Sequence, residues 1–205
     1  MAVPNLSTSP NRYIFSDILR RGNTRGFVAG KSDEAIKWYR STAKRFTSVS
    51  KDRLLREKSQ IRTSIQPGSM YMFAYDAKHK DTLPYYDAFP IIFPVRLLDD
   101  GFLGLNFHYL PPNLRAMLMD SLYTLNTDPK LTDKAKIQLS YQLLRSASQF
   151  KYFQPCLKRY LYSQFRSKFI YVDPDTWDIA LFLPTENFKG ATNSQVWADT
   201  RRAIL

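Results

Sequence analysis

From Ser32 to about Ser48 the apolar positions Ile36, Tyr39, Ala43 and Phe46 recur every three or four residues. That is the spacing of one helical face, and Lys37, Arg40, Lys44 and Arg45 fill much of the remainder. Ser32 offers a side-chain oxygen to the first free amides, and Asp33 and Glu34 sit at the positive end of the helix dipole. Ser50 starts a second predicted helix through Leu54, Leu55 and Ile61, with Arg53, Arg56, Lys58 and Arg62 outward, and Pro67-Gly68 stops it. Residues 1–30 have no such rhythm. Arg20, Arg21 and Arg25 lie there among Gly22, Gly26 and Gly30, a composition that predicts a flexible basic arm. Such an arm can order on a phosphate backbone or thread across a protein neighbour, and the residues leave both open.

Beyond Pro67 the pattern changes to short apolar runs. Ser69–Tyr75 and Ile91–Leu98 read as strands, with Pro94 requiring an edge or a bulge. Asp99-Asp100-Gly101 signals a hairpin into Phe102–Tyr109, with Gly104 a candidate bulge. Thr82–Pro90 is so rich in aromatics and proline that it predicts a packed loop. Pro111-Pro112 opens a helix striped by Leu114, Met117, Leu118, Leu122 and Leu125. Thr132-Asp133 starts another, with Ile137, Tyr141, Leu144 and Ala147 on one side and Lys134, Lys136 and Arg145 elsewhere. Residues 156–166 read as a basic helix, Phe169–Val172 as a strand, and Trp177–Leu183 as a strand or a single helical turn. Ser194–Leu205 reads as a short amphipathic helix through Val196, Trp197 and Ile204.

This succession predicts an α+β chain: a small SH3-like antiparallel barrel with a helical insertion, preceded by a basic helical N-terminal region. A plain α+β sandwich is the alternative. The expected divisions are an arm at 1–30, a helical region at 31–66, a barrel domain at 67–190 with its insertion at about 111–166, and a tail helix at 191–205.

Composition narrows the class. Of 205 residues, 44% are hydrophobic and 15% aromatic, enough for a real core, so wholesale disorder is not expected. No run reaches the roughly 18 apolar residues of a membrane-spanning helix, and Met-Ala-Val-Pro starts no signal sequence. Neither secretion by that route nor a membrane partner is expected. The single cysteine, Cys156, has no intramolecular disulfide partner and reads as a small buried apolar residue.

Charge changes the picture most. The net charge is +12, which points to a nucleic acid or another polyanion as partner. It is segregated: residues 1–68 hold fourteen basic and five acidic side chains, and residues 130–168 hold nine and one. The stretches between and after are slightly acidic. From Lys151 to Lys168 cations alternate with aromatics; cations neutralise phosphates, and exposed rings stack on unpaired bases. The same stretch also fits a helix that buries Leu157, Tyr160, Leu161 and Phe165. The candidate DNA contacts are Arg20, Arg21, Arg25, Lys37, Arg40, Lys44, Arg45, Lys158, Arg159, Arg166 and Lys168.

Catalytic chemistry finds little support. His79 and His108 are too few for a histidine metal site and read as structural or surface residues. Asp76, Asp81 and Asp87 offer carboxylates to a magnesium ion, but without a compact nuclease motif. The seven glycines form no phosphate-cradling loop, and nothing local supports a Cys156–His108 nucleophile pair. No catalytic residue, metal, cofactor or small-molecule substrate is expected.

The run from Pro67 to Pro112 carries a specific set of features. They are Pro-Gly-x-Met-Tyr at the strand start, Tyr75-Asp76 then Lys78, Leu83-Pro84 with Asp87 and Phe89-Pro90, Gly101–Gly104 leading to Asn106, and His108–Pro111. Phe150–Phe153 and Asp178–Pro184 extend the match. In these the chain resembles the DNA end protector proteins of T-even-like tailed phages, particularly the shorter marine-phage type. The resemblance covers most of residues 67–190 and is loose over the first thirty. It implies a non-enzymatic virion protein that caps the packaged genome end against host exonuclease. The implied partners are the terminus of double-stranded phage DNA and other virion structural proteins. The implied location is the virion, and the host cytoplasm during assembly and after DNA entry. An architectural neck, tail or baseplate subunit gripping other virion proteins is the alternative. Most motif residues are aromatic, Gly or Pro, which support the family better than they locate a DNA contact.

Overall fold

A computed structural model describes residues 13–126, 142, 143, 146 and 151–204. The helix expected from Thr132 to Ala147 lies largely outside them.

The chain opens with helices α1 (Ile14–Asn23), α2 (Asp33–Lys44) and α3 (Lys51–Leu55). Ser32 and Ser50 cap α2 and α3 as expected, accepting from the Ala35 and Arg53 amides. The second basic helix is shorter than its apolar spacing predicts. It stops at Leu55, and Ile61–Arg62 become strand β1 by pairing with a later strand.

α1 corrects the expectation of a flexible arm over the part that is described. Ile14, Phe15, Ile18 and Leu19 share a helical face, and Phe15 and Ile18 are buried against α2 and the sheet core. The glycines and arginines masked this short stripe. Gly22 is required by contact: a Cβ there would lie 2.1 Å from the Tyr39 hydroxyl oxygen, which itself donates to the Phe27 carbonyl at 2.9 Å. Gly22→Ala should therefore cost about 1–3 kcal/mol by overpacking, although alanine is the better helix former. An unchanged or higher urea midpoint would sink this explanation.

Six strands follow one another antiparallel in the order β1, β7 (Phe169–Val172), β2 (Met70–Met72), β4 (Ile91–Leu98), β5 (Gly101–Asn106) and β6 (Leu157–Leu161). A two-stranded ribbon joins β3 (Tyr86–Asp87) to β8 (Phe188–Lys189). Of the expected packed segment Thr82–Pro90, the part from Tyr85 onward is packed, with Asp87, Phe89 and Pro90 buried, while Thr82, Leu83 and Pro84 are exposed. Both sheet faces are covered over β2 and the first five residues of β4, which read as unbroken apolar runs. Met70, Met72, Ile91, Phe93, Ile170 and Val172 face the helices. Tyr71, Phe73, Ile92, Phe102, Tyr160 and Phe169 form an aromatic cluster on the other side.

Pro94 lies in an interior strand, tolerated because the β4–β5 register shifts between Pro94 and Arg96. The antiparallel α+β reading holds. The sheet, however, is not closed into a barrel: β1 and β6 are its edges, and one isolated bridge, Tyr75 to Phe165, reaches across from the end of β2.

Three further expectations change. Residues 157–161 form strand β6, followed by a single 3-10 turn at Tyr162–Gln164, where a basic helix was expected. Over so short a stretch the two periodicities are hard to separate; β5 offers an unpaired edge, and β6 pairs along it from Gly101–Leu161 to Leu105–Leu157. His108 sits in a 3-10 turn after β5, not on the strand. In helix α4 (Pro112–Asn126), Leu118 and Met119 are buried, but Met117 is exposed and Arg115 is buried in its place. Trp177–Ala180 forms the short helix α5, and Asn193–Ile204 forms α6 with Val196 and Thr200 buried. Among the described residues, no helix is long and apolar enough to cross a membrane.

Candidate nucleic-acid interface

The fold sorts the eleven candidate cations into three groups. Lys37, Arg45 and Lys168 are exposed. A second group is exposed or, for Arg21, half-buried, and engaged. Arg20 and Arg21 reach Asp17 at 3.1 and 2.7 Å, Arg159 reaches Asp100 at 2.8 Å, and Arg166 reaches Asp76 at 3.2 Å. Arg25 and Lys44 lie over the rings of Trp38 and Phe182. The Arg159 and Arg166 pairs lie at the surface, where such pairs are weak and exchange readily for phosphate. Asp17, in contrast, is buried and keeps Arg20 and Arg21 as its counter-charges.

Arg40 belongs to the interior. Its guanidinium is 2.7 Å from buried Asp178 and 2.8 Å from Asp120, and it lies 5.3 Å from the Phe182 ring centre. It ties α2 to α5 and α4. Lys158 is half-buried, with its ammonium 4.1 Å from the Tyr109 ring centre. Burial lowers its pKa.

Lys158 and Arg159 on β6 share a cleft of about 480 Å³ with Lys78, His79, Leu83, Tyr85, Tyr86 and Tyr109. The segment from Asp76 to Tyr86 forms the opposite wall. Asp76 holds that wall near β6, accepting from Lys80, Arg166 and the Tyr86 hydroxyl. Lys80 and then Arg166 hold the Asp76 carboxyl below its ordinary value. Sequence reasoning missed Lys78, Tyr85 and Tyr109 as members of a site, because only folding brings them beside β6. The aromatic density of residues 82–90 was the one available signal.

Behind the cleft lies a buried polar frame. Asp87 Oδ2 is 2.7 Å from His108 Nδ1, whose Nε2 is 3.1 Å from the Thr185 hydroxyl. Asn106 donates to Asp87 at 3.0 Å and to the Tyr160 hydroxyl at the same distance. The Phe89 and Asn187 amides also donate to Asp87. Burial pushes the Asp87 carboxyl up, but His108, Asn106 and the Phe89 amide outweigh it and hold the group below its ordinary value. The order Asp–His–Thr looks like a nucleophilic relay. Thr185 and His108 are both fully inaccessible, however, so this geometry braces the fold and presents no hydroxyl to a substrate.

The frame continues through Arg115, which is 1% exposed. It donates to the carbonyls of Leu110, Leu181 and His108 and to Glu186 at 2.7 Å. Trp197 adds a bond to the His108 carbonyl.

Two of the three carboxylates considered for magnesium are employed otherwise, Asp87 facing His108 and Asp76 pairing with Lys80 and Arg166, and the third, Asp81, is exposed. Among the described residues, no group of three or more His, Cys, Asp or Glu side chains is arranged to hold a metal ion. Cys156 is buried as expected, and burial pushes its thiol up to about 12, so it is protonated and unreactive at neutral pH.

No curated protein and no solved structure matches the chain. A family model described as phage T4 terminal DNA protecting protein matches residues 15–200. The match spans α1, the whole sheet, the cleft wall and most of α6, and with it the chain belongs to the phage T4 terminal DNA protecting protein family.

Proposed function

We propose that this protein binds the terminus of linear double-stranded phage DNA and shields it by occupancy, without turnover, in the virion and in the host cytoplasm after DNA entry. The observation that carries this reading is the family match over residues 15–200, and the +12 net charge supports it. Phosphate contact falls to the cations the fold leaves accessible. Lys37, Arg45 and Lys168 come first, and Arg25, Lys44, Arg159 and Arg166 can join them, whereas Arg20 and Arg21 are held by buried Asp17. Arg40 is left out because it neutralises Asp178 inside the fold.

Saturating protein should block exonuclease digestion of linear duplex and leave internal nicks of a circular duplex open. Unchanged digestion of the linear substrate would end this reading. Neutralising Lys37, Arg45 and Lys168 together should weaken binding and reduce the salt slope by about 1 for each lost phosphate contact.

Other virion structural proteins are a second class of proposed partner. Leu97 and Tyr162, both over 40% exposed near the turn joining β4 to β5, support such a contact. A partly open, SH3-like curl of the sheet is the proposed finer description of this region. The succession β7-β2-β4-β5-β6 and the Tyr75–Phe165 bridge support it.

A further inference from the structure

The cleft between the 76–86 segment and β6 combines three features that the exposed cations lack. It has the volume of a small-ligand site, about 480 Å³. Its walls include the tyrosines Tyr85 and Tyr109, whose ring centres are 6.1 Å apart at 35°, and the partly exposed Tyr86. It also holds Lys158, whose only described partner is the face of Tyr109. The neighbouring Arg159 shows the contrast: its charge is matched by Asp100 at 2.8 Å.

A half-buried lysine whose described contacts include no carboxylate is poised for an anionic ligand. Burial already disfavours its charged form, and an incoming phosphate would restore it. Aromatic walls beside a cation suit an unpaired base with its phosphate, because every base has a face that can stack. A cleft of this size admits one nucleotide and excludes a duplex. Bases inside a duplex are paired and stacked, and extruding one is costly; a base already single-stranded avoids most of that cost. The cleft therefore distinguishes an end from the interior of a DNA molecule.

We propose that this cleft seats the terminal unpaired nucleotide of the DNA, with Lys158, backed by the buried Tyr109 ring, meeting its phosphate and the partly exposed Tyr85 and Tyr86 meeting its base. The assignment rests on the DNA-terminus reading above and adds the feature of the end that is recognised.

The test compares two labelled duplexes of equal length by fluorescence anisotropy. One has a three-nucleotide single-stranded overhang at one end and a hairpin loop at the other, and the second is a dumbbell closed at both ends. The wild type should prefer the overhang by about tenfold or more, the scale of one stacked base. Lys158→Gln should reduce that preference to about twofold and leave dumbbell affinity within about twofold, while Lys158→Arg should keep most of it. Leu83→Glu, at a position 43% exposed on the cleft wall, should act like Lys158→Gln without touching the core. It carries the test if Lys158→Gln does not fold. Full overhang preference in Leu83→Glu and in folded Lys158→Gln would overturn the proposal. Equal wild-type affinity for overhang and dumbbell would overturn it too, while leaving DNA binding intact. Wild type binding neither probe would overturn the DNA reading itself.

Discussion

Arg115→Met is expected to lower the unfolding free energy by about 3–5 kcal/mol, the scale seen when one partner of a buried ion pair is removed. Methionine fills much of the volume, so packing is not the main loss. What is lost is a fork of donors serving the carbonyls of Leu110, Leu181 and His108 and the carboxylate of Glu186. The Leu110 and Leu181 carbonyls and the Glu186 carboxylate then lose this donor, while the His108 carbonyl keeps its bond from Trp197. For a chain of this size the melting temperature should fall by roughly 10 °C. Adding Glu186→Gln should recover only part of the loss, because the Leu110 and Leu181 carbonyls still lack the donors Arg115 supplied. Arg115→Lys should also fall short, since a single ammonium has three donors and no planar fork. A loss under about 1 kcal/mol in a reversible urea titration would contradict this account of α4.

The second large effect is on the pH dependence of stability. Asp87 is buried and Glu186 half-buried with its side chain 8% exposed, and both carboxyls are held below their ordinary values. Burial pushes Glu186 up, but the nearby His108 and Arg115 outweigh it. A group whose folded-state pKa is lowered stabilises the fold fully above its ordinary value, 3.8 for this aspartate and 4.5 for this glutamate. That contribution is lost as the pH falls through the folded-state value. The protein should therefore melt near its maximum around neutral pH and lose stability steeply below about pH 4.

Asp87→Asn should remove the aspartate's share. Its single carbonyl oxygen cannot accept from Asn106, His108 and the Phe89 and Asn187 amides together. The expected deficit is about 3–5 kcal/mol at neutral pH, shrinking as the pH falls below the ordinary value of 3.8, where the carboxyl of the unfolded chain takes up its proton. Thermal melts of both proteins from pH 3 to 8 test this; a deficit of constant size across that range would refute the linkage.

Much of the architecture was legible in the chain. The strand Ile91–Leu98 is found with the bounds its apolar run predicted, because turn residues bracket it on both sides. Ser32 and Ser50 announce α2 and α3 because capping is a local interaction. The motifs that carried the family resemblance proved to be scaffold: Asp87, Asn106 and His108 come together as one hydrogen-bonded frame. The errors share a cause. Residues 157–161 have no strong period of their own, and the open edge of β5 decided their state. Ile14–Leu19 is a stripe of barely two turns inside a polar composition, and α2 and the sheet core supply the surface that makes it helical.

By itself the sequence determined the surplus of positive charge, its two blocks, most of the elements and the family, because these depend on residue identity or on neighbours a few positions away. Only the tertiary structure decided which cations are accessible. Arg40 and Lys44 sit one helical turn apart on the same helix. Long-range packing brings Asp178 and Asp120 onto Arg40 and leaves Lys44 at the surface. The same packing set Lys158 over Tyr109 and opened the cleft beside it. Burial and partner choice are set by residues distant in the chain, and no local pattern encodes them.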